Sequence, residues 1–262
     1  MKLPASLPSF EPGWVWLAGA GPGDARLLSI YALHGLAQAD VIVHDALVGG
    51  DILALARDGA RLEYAGKRGG KPSLAQQDIS ARLVELAREG LRVLRLKGGD
   101  PMLFGRGGEE ALALTEAGVS FRIIPGISAG LGAPACAGVA LTHRDYTHAV
   151  TFLTGHDIAS GRKSAAPPLN WRAIAEGSPV LVIYMGLNKL EDIVARLLAH
   201  GRSAEEPLAV VSEISMPGQR VLETCLGRAV ADAAAAEMGT PALLVVGEVV
   251  RLRRELSAAD WL

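Results

Sequence analysis

The sequence predicts an α/β fold made of two α/β domains. Short apolar runs alternate with amphipathic stretches along most of the chain, glycine-rich loops follow several of the apolar runs directly, and 50% of the 262 residues are hydrophobic against 21% charged. The alternation is the rhythm of a mainly parallel sheet covered on both faces. The loops place exposed backbone at the carboxyl ends of strands, where open α/β sheets bind their ligands. The composition supplies enough apolar surface for two domains of ordinary size.

Val15 to Ala18 reads as a buried strand, and Arg26 to Ala39 as a helix with Leu33, Leu36 and Ala37 on one face. Val41 to Val43 is the next strand, followed by a short helix near Asp51 to Arg57 and a weaker strand over Leu62 to Tyr64. Gln76 to Glu89 is a helix, with Ile79, Leu83 and Leu86 at helical spacing and Gly90 as its stop. Leu91 to Leu96 is a strand, Gly108 to Ala117 a helix ended by Gly118, and Phe121 to Ile124 a strand. A loop-like stretch, Leu141 to His148, precedes a second set of elements. These are strands over Val150 to Leu153 and Val180 to Tyr184, a helix over Leu190 to His200, strands over Leu208 to Val211 and Arg220 to Cys225, a helix over Ala229 to Met238, and a closing strand near Pro241 to Gly247. Between the first two strands of this set, Ala165 to Pro168 marks an exposed connection. The expected division is a flexible leader over 1–13, an N-terminal α/β domain over 14–144 and a C-terminal α/β domain over 148–262.

Several function classes are disfavoured. A formal net charge of −2 lacks the cationic excess on which nucleic-acid affinity rests. Cys136 and Cys225 form no CxxC pair, and the histidines form no HxxxH pair, so neither a disulfide framework nor a metal site is expected and a reducing cytoplasm is the default location. The segment from Met1 to Pro12 carries three prolines and no long apolar run, which reads as a leader rather than a signal peptide. No stretch approaches the roughly 20 apolar residues of a membrane span.

The glycine loops carry the chemistry. Gly19-Ala20-Gly21-Pro22-Gly23-Asp24 follows the first strand, where glycines let a ligand approach the backbone closely. A dinucleotide-binding turn would need a third glycine at Asp24, and Pro22 removes an amide from any pyrophosphate cradle, so an NAD-dependent oxidoreductase is disfavoured. A plain strand-to-helix turn stays open as an alternative for this loop. The second loop, Lys97 to Glu110, has six Gly or Pro among its fourteen residues and three acidic ones, more backbone freedom beside charge than a turn requires. A third, Pro125-Gly126-Ile127-Ser128-Ala129-Gly130, follows the next strand and brings small side chains to the same sheet edge.

Taken together, Gly19 to Asp24, Tyr64-Ala65-Gly66-Lys67-Arg68, Leu96 to Glu110, Pro125 to Ser128, Leu141-Thr142-His143-Arg144, Val182 to Gly186 and Pro241-Ala242 resemble the tetrapyrrole methylases over about Trp14 to Val250. The pairing of the Gly98 to Pro101 loop with Phe104-Gly105-Arg106-Gly107-Gly108-Glu109-Glu110 and with Leu141 to Arg144 favours the branch acting on uroporphyrinogen III. The resemblance implies a cleft between two α/β domains, a homodimer, and S-adenosyl-L-methionine as methyl donor with S-adenosyl-L-homocysteine as product. It implies methylation of uroporphyrinogen III at carbons 2 and 7, giving precorrin-1 and then precorrin-2 for sirohaem, cobalamin or haem d1 synthesis. Its cofactor contacts fall on Pro22, Gly98, Gly99, Asp100, Leu103, Ser128, Ala129, Met185 and Ala242. Its proton-transfer positions fall on Asp45 and Lys67, and its substrate-side positions on Arg106, Glu109 and Arg144. The alternatives within the resemblance are a methylase acting on a later corrin precursor and a non-catalytic member.

The residue chemistry agrees with these assignments while leaving bland readings open. Asp100 suits a polar or cationic end of the donor, and equally a turn cap beside Pro101. Met185 can pack against adenine or fill a core. A polycarboxylate acceptor needs clustered cations, for which Arg106 and Arg144 are the better anchors because Arg pairs bidentately with carboxylates, while Arg68 and Lys71 read as solvated loop charges. Methyl transfer asks mainly for alignment and exclusion of water. A proton must then leave the tetrapyrrole, for which Asp45, just past a strand, is a candidate acceptor and also an ordinary strand-end turn residue. Lys67 can donate a proton or bind a carboxylate. Arg106, with its high pKa, is a poor base and is assigned to substrate binding with an electrostatic part in catalysis. Two departures stand out. Ala46 replaces an arginine usual after the aspartate, and Ile214 falls where many relatives have glycine.

Overall fold

A computed structural model describes residues 7–65, 76–155 and 167–256. The chain divides into two units, Met1–Ala129 and Gly130–Leu262. Helix α5 (Ala129–Cys136) lies at this division, with all but its first residue in the second unit.

The first unit is built on strands β1 (Val15–Gly19), β2 (Val41–His44), β3 (Arg61–Tyr64), β4 (Val93–Lys97) and β5 (Phe121–Ile124). They form one sheet in the order β3-β2-β4-β1-β5, and every pairing is parallel. β1 and β4 are buried along their whole length, but only β1 is an unbroken apolar run; β4 carries Arg95 and Lys97. Helices α1 (Ile30–Leu36) and α2 (Gly50–Leu53) cover one face over Trp16, Ile42, Leu94 and Leu96. Helices α3 (Gln76–Arg88) and α4 (Gly107–Glu116) cover the other over Leu17, Val43 and Val93.

The long helix expected over Arg26 to Ala39 is broken. A 3-10 turn, Ala25–Leu27, is capped by Asp24, and α1 starts afresh behind Ser29, whose hydroxyl accepts from the Ala32 amide. The restart rotates the buried stripe to Ala32, Gly35 and Leu36, leaving Leu33 exposed. The chain is also anchored earlier than Trp14. Phe10 is buried and stacks on Trp16 with ring centroids 4.2 Å apart, and its carbonyl accepts from Arg92 Nε.

The second unit carries β6 (Thr151–Thr154), β7 (Leu181–Tyr184), β8 (Pro207–Ser212), β9 (Arg220–Cys225) and β10 (Ala242–Val246) in the order β6-β7-β10-β8-β9. Only β6 and β7 run parallel among the described strands; β7-β10, β10-β8 and β8-β9 are antiparallel. Helices α6 (Trp171–Gly177), α7 (Leu190–Ala199) and α8 (Ala229–Ala235) pack on Leu181, Ile183, Leu208, Val210 and Leu244. A short helix, α9 (Arg253–Leu256), ends the described chain. The reading of the sequence contains neither α5 nor α6. No helix among the described residues is long and apolar enough to cross a membrane.

Candidate active site

Because all five strands of the first sheet point the same way, their carboxyl ends lie along one edge. β2, β4, β1 and β5 are successive neighbours there, so Asp45, the Lys97–Pro101 loop, the Gly19–Asp24 loop and the segment 125–128 emerge side by side. The three glycine loops are tied to each other. Ala20 N donates to Lys97 O at 2.7 Å, and Gly21 and Gly99 exchange backbone hydrogen bonds at 3.2 and 2.7 Å. A methyl added at Gly19 would lie 2.5 Å from the Gly99 carbonyl oxygen, and one at Gly126 closer still. Glycine is required at these two positions because backbone meets backbone, and backbone cannot turn aside.

Asp100 completes the junction. Its Oδ1 accepts from the Met102 amide at 2.8 Å and its Oδ2 from the Gly126 amide at 3.0 Å, clamping the second loop to the third. The turn-cap reading of Asp100 therefore describes its protein contacts, and each carboxylate oxygen keeps lone-pair capacity for a ligand donor. Pro22, Gly98, Gly99, Asp100, Leu103 and Ala129 are all half-buried, and Ser128 is buried. Small residues and accessible backbone at a strand edge fit a ligand with an amino-acid end and a nucleoside.

Asp45 is half-buried, and its Oδ1 accepts from the Leu47 amide at 3.0 Å. It is the strand-end turn residue the sequence allows, placed next to the Lys97–Pro101 loop. Ala46 is exposed. Arg106 caps α4 with a left-handed φ of 58°, and its guanidinium grips Glu109 at 2.9 and 2.6 Å. That bond raises the arginine's pKa further and holds the Glu109 carboxyl below the usual carboxylate range, so Arg106 is a permanent cation and no base. Lys67, with Arg68 and Lys71, lies outside the described residues.

In the second unit, the β7-β10 register Leu243↔Tyr184 sets Ala242 beside Met185. Met185 follows β7 with φ 53° and is 49% exposed, which removes the core reading of this side chain. A left-handed conformation in a non-glycine residue is uncommon and carries backbone strain. Ile214 is buried in the β8-β9 connection between two left-handed residues, Glu213 and Ser215. Arg144 is exposed in a turn closed by the His143↔Thr147 bridge. Thr147 lines a pocket of about 410 Å³ with Pro179 and Val180, at the start of β7, whereas Met185 follows its end. Within this unit Arg144 is therefore not grouped with Met185 and Ala242.

The reading of the sequence misses a buried ionic cluster. Arg95 and Lys97 sit two apart on β4 and point to the face covered by α3 and α4, where Glu110 of α4 meets them. Glu110 Oε1 accepts from Arg95 Nε at 3.0 Å, Lys97 Nζ at 3.1 Å and Gln76 Nε2 at 3.0 Å. The signal was present: two cations in a strand otherwise buried on both faces must find a partner.

The sequence profile of the tetrapyrrole (corrin/porphyrin) methylases matches residues 15–230. This chain belongs to that family. Among tetrapyrrole methylases, a uroporphyrinogen-III C-methyltransferase of Sinorhizobium sp is 61% identical over 98% of this chain and 90% of its own length. A siroheme synthase of Actinobacillus succinogenes is 47% identical over 95% of the chain, which spans only 51% of that longer protein. The crystal structure of uroporphyrin-III-C-methyltransferase from Thermus thermophilus superposes with a TM-score of 0.78 at 40% identity, covering 95% of this chain and 98% of that one. The same enzyme complexed with S-adenyl homocysteine gives 0.76 at 37% identity, covering 91% and 99%.

Proposed function

We propose that this chain is a uroporphyrinogen-III C-methyltransferase, moving methyl groups from S-adenosyl-L-methionine to carbons 2 and 7 of uroporphyrinogen III to give precorrin-1 and then precorrin-2. The observation that carries this reading is the junction of three glycine loops at one sheet edge, flanked by Asp45 and by the Arg106–Glu109 pair, in a chain so similar over nearly its full length to the Sinorhizobium enzyme.

The bound donor supplies an electrophilic methyl group. The chain's own part is to hold it and align the acceptor carbon. Pro22, Gly98, Gly99, Asp100, Leu103, Ser128 and Ala129 are the proposed contacts in the first unit, with Met185 and Ala242 in the second. Arg106 offers a fixed cation to an acceptor carboxylate, although the substrate must compete with Glu109 for it. Arg144 is a second proposed anchor. Asp45 is proposed to take the proton that leaves the tetrapyrrole after transfer, with Lys67 as a proton donor. A homodimer in the cytoplasm belongs to the same reading.

Anaerobic incubation of the purified chain with uroporphyrinogen III and donor is expected to yield a product two methyl groups heavier by mass spectrometry. Turnover no greater than a no-enzyme control overturns the reading. Turnover only on an already methylated corrin precursor selects the alternative.

A further inference from the structure

The Arg95–Lys97–Glu110 cluster is larger than the fold requires. Replacing a buried ion pair with apolar side chains is often neutral or stabilising, so stability alone does not account for ions in the middle of a parallel sheet. The cluster is also unbalanced. Two cations face one carboxylate, all three side chains are at most 5% exposed, and Glu110 Oε2 has no hydrogen-bond partner. Among the described residues, Glu110 is the one side-chain partner of the Lys97 ammonium. Arg95, by contrast, also donates to the Val43 and Leu96 carbonyls.

Lys97 stands where three parts of the edge meet. Its carbonyl accepts from Ala20 in the first glycine loop, and it is the last residue of β4 before Gly98. Its ammonium reaches Glu110 in the first turn of α4, next to Glu109, which holds Arg106. The groups that face it electrostatically are Arg95 on its own strand, Glu110 and Glu109 from α4, and Asp45 from the end of β2.

We propose that Lys97 is a positioning residue for the acceptor side of the site: its ammonium, through Glu110, keeps the turn carrying Arg106 and Glu109 in register with Asp45. This inference rests on the methyltransferase reading above. It separates the two halves of the site, since the backbone that ties the donor loops together does not depend on the lysine side chain. Burial, followed by the neighbouring Arg95, pushes the Lys97 pKa below the usual lysine range, with Glu110 and Asp45 opposing. Positioning is therefore lost on the alkaline side at a lower pH than for an exposed lysine.

The test compares the wild-type chain with Lys97→Met and Lys97→Arg, after circular dichroism has confirmed that each is folded. Dissociation constants for S-adenosylhomocysteine are measured beside kcat and KM for uroporphyrinogen III across the alkaline range. Lys97→Met is expected to bind S-adenosylhomocysteine as the wild type does while kcat/KM for the acceptor falls about a hundredfold, the scale of an ångström-sized misplacement. Lys97→Arg is expected to restore most of that loss and to shift the alkaline limb of kcat/KM upward, because a guanidinium does not titrate there. Unchanged acceptor kinetics in Lys97→Met overturn the proposal, as does an equal loss of donor and acceptor binding, which marks a merely structural role. If Lys97→Met does not fold, Lys97→Arg still decides: an alkaline limb at the wild-type pH overturns the proposal. Wild-type protein that binds S-adenosylhomocysteine without methylating uroporphyrinogen III overturns the substrate reading instead.

Discussion

The two units share an architecture, a five-stranded sheet with helices packed on it, and differ in strand direction. In the first, every strand is parallel, so every outgoing loop leaves from the same edge, and Asp45, the three glycine loops and the head of α4 accumulate there. In the second, three of the four pairings are antiparallel, and outgoing loops are shared between both edges. What gathers is a smaller group set by register, Met185 beside Ala242. Strand direction thus decides how much chemistry one edge can collect.

The buried charges give the sharpest way to break this comparison. Each unit has a carboxylate held against arginine, Glu110 in the first and Glu206 in the second, where Glu206 pairs with Arg202 and Arg202 also donates to the Ser178 carbonyl. Glu110 is fully buried and is shared by two cations, so Glu110→Gln removes the carboxylate that both contact. The expected cost is about 3–5 kcal/mol, read as a drop in urea midpoint. Glu206 balances one cation, and burial pushes its pKa up despite Arg202, so it gives less up when neutralised. Glu206→Gln keeps an acceptor for Arg202 and is expected to cost about 1 kcal/mol. Equal costs would mean that the first cluster is an ordinary ion pair.

Backbone crowding is the next contrast. Gly19→Ala places a methyl against the Gly99 carbonyl with no side chain able to yield, and is expected to cost about 1–3 kcal/mol and to weaken S-adenosylhomocysteine binding by calorimetry. Gly177→Ala, at the end of α6, meets open space and is expected to leave stability unchanged or raise it by up to about 1 kcal/mol. Full donor affinity in Gly19→Ala would show that the loop junction is not the donor site.

The same contrast explains what was readable beforehand. β1 and β2 are legible because a strand buried on both faces writes itself as an apolar run, β4 and β5 because short, largely apolar runs follow the helix stops Gly90 and Gly118, and the common direction of the four follows from the helices between them. The antiparallel order of β7, β10, β8 and β9 is not, since apolar runs carry no direction. α5 escaped because Ala129–Cys136, with Gly130, Gly132 and Pro134, has no helical stripe. Asp100, Arg106 and Glu109 are legible as charges in a glycine loop, but of the two amides Asp100 clamps only Met102 is local; Gly126 lies 26 residues on. Arg95, Lys97 and Glu110 are legible only in part: two cations in a buried strand call for a partner, but which carboxylate answers emerges only where β4 and α4 meet.

The smallest expected effect is on pH dependence, where the two units carry opposite signs. In the first, Arg82 holds the Glu63 carboxyl below the usual range, chiefly through its hydrogen bonds at 3.0 and 2.8 Å. The folded pKa then lies below the unfolded value of about 4.3, so the stabilisation is complete above that value and is lost as pH falls through the depressed one. In the second, burial raises Glu206, so its folded pKa lies above the unfolded one. Protonation there favours the folded state, and the contribution is complete below about pH 4.3 and lost as pH rises through the raised value. Urea denaturation from acid to neutral pH is expected to show Glu63→Gln flattening the acid-side loss and Glu206→Gln flattening a decline above it. Glu63 is partly solvated, so its difference curve is expected to be the shallower one and to shrink with added salt. Two difference curves of the same sign would mean that Arg202 dominates Glu206 after all, and that Glu63 and Glu206 respond to pH alike.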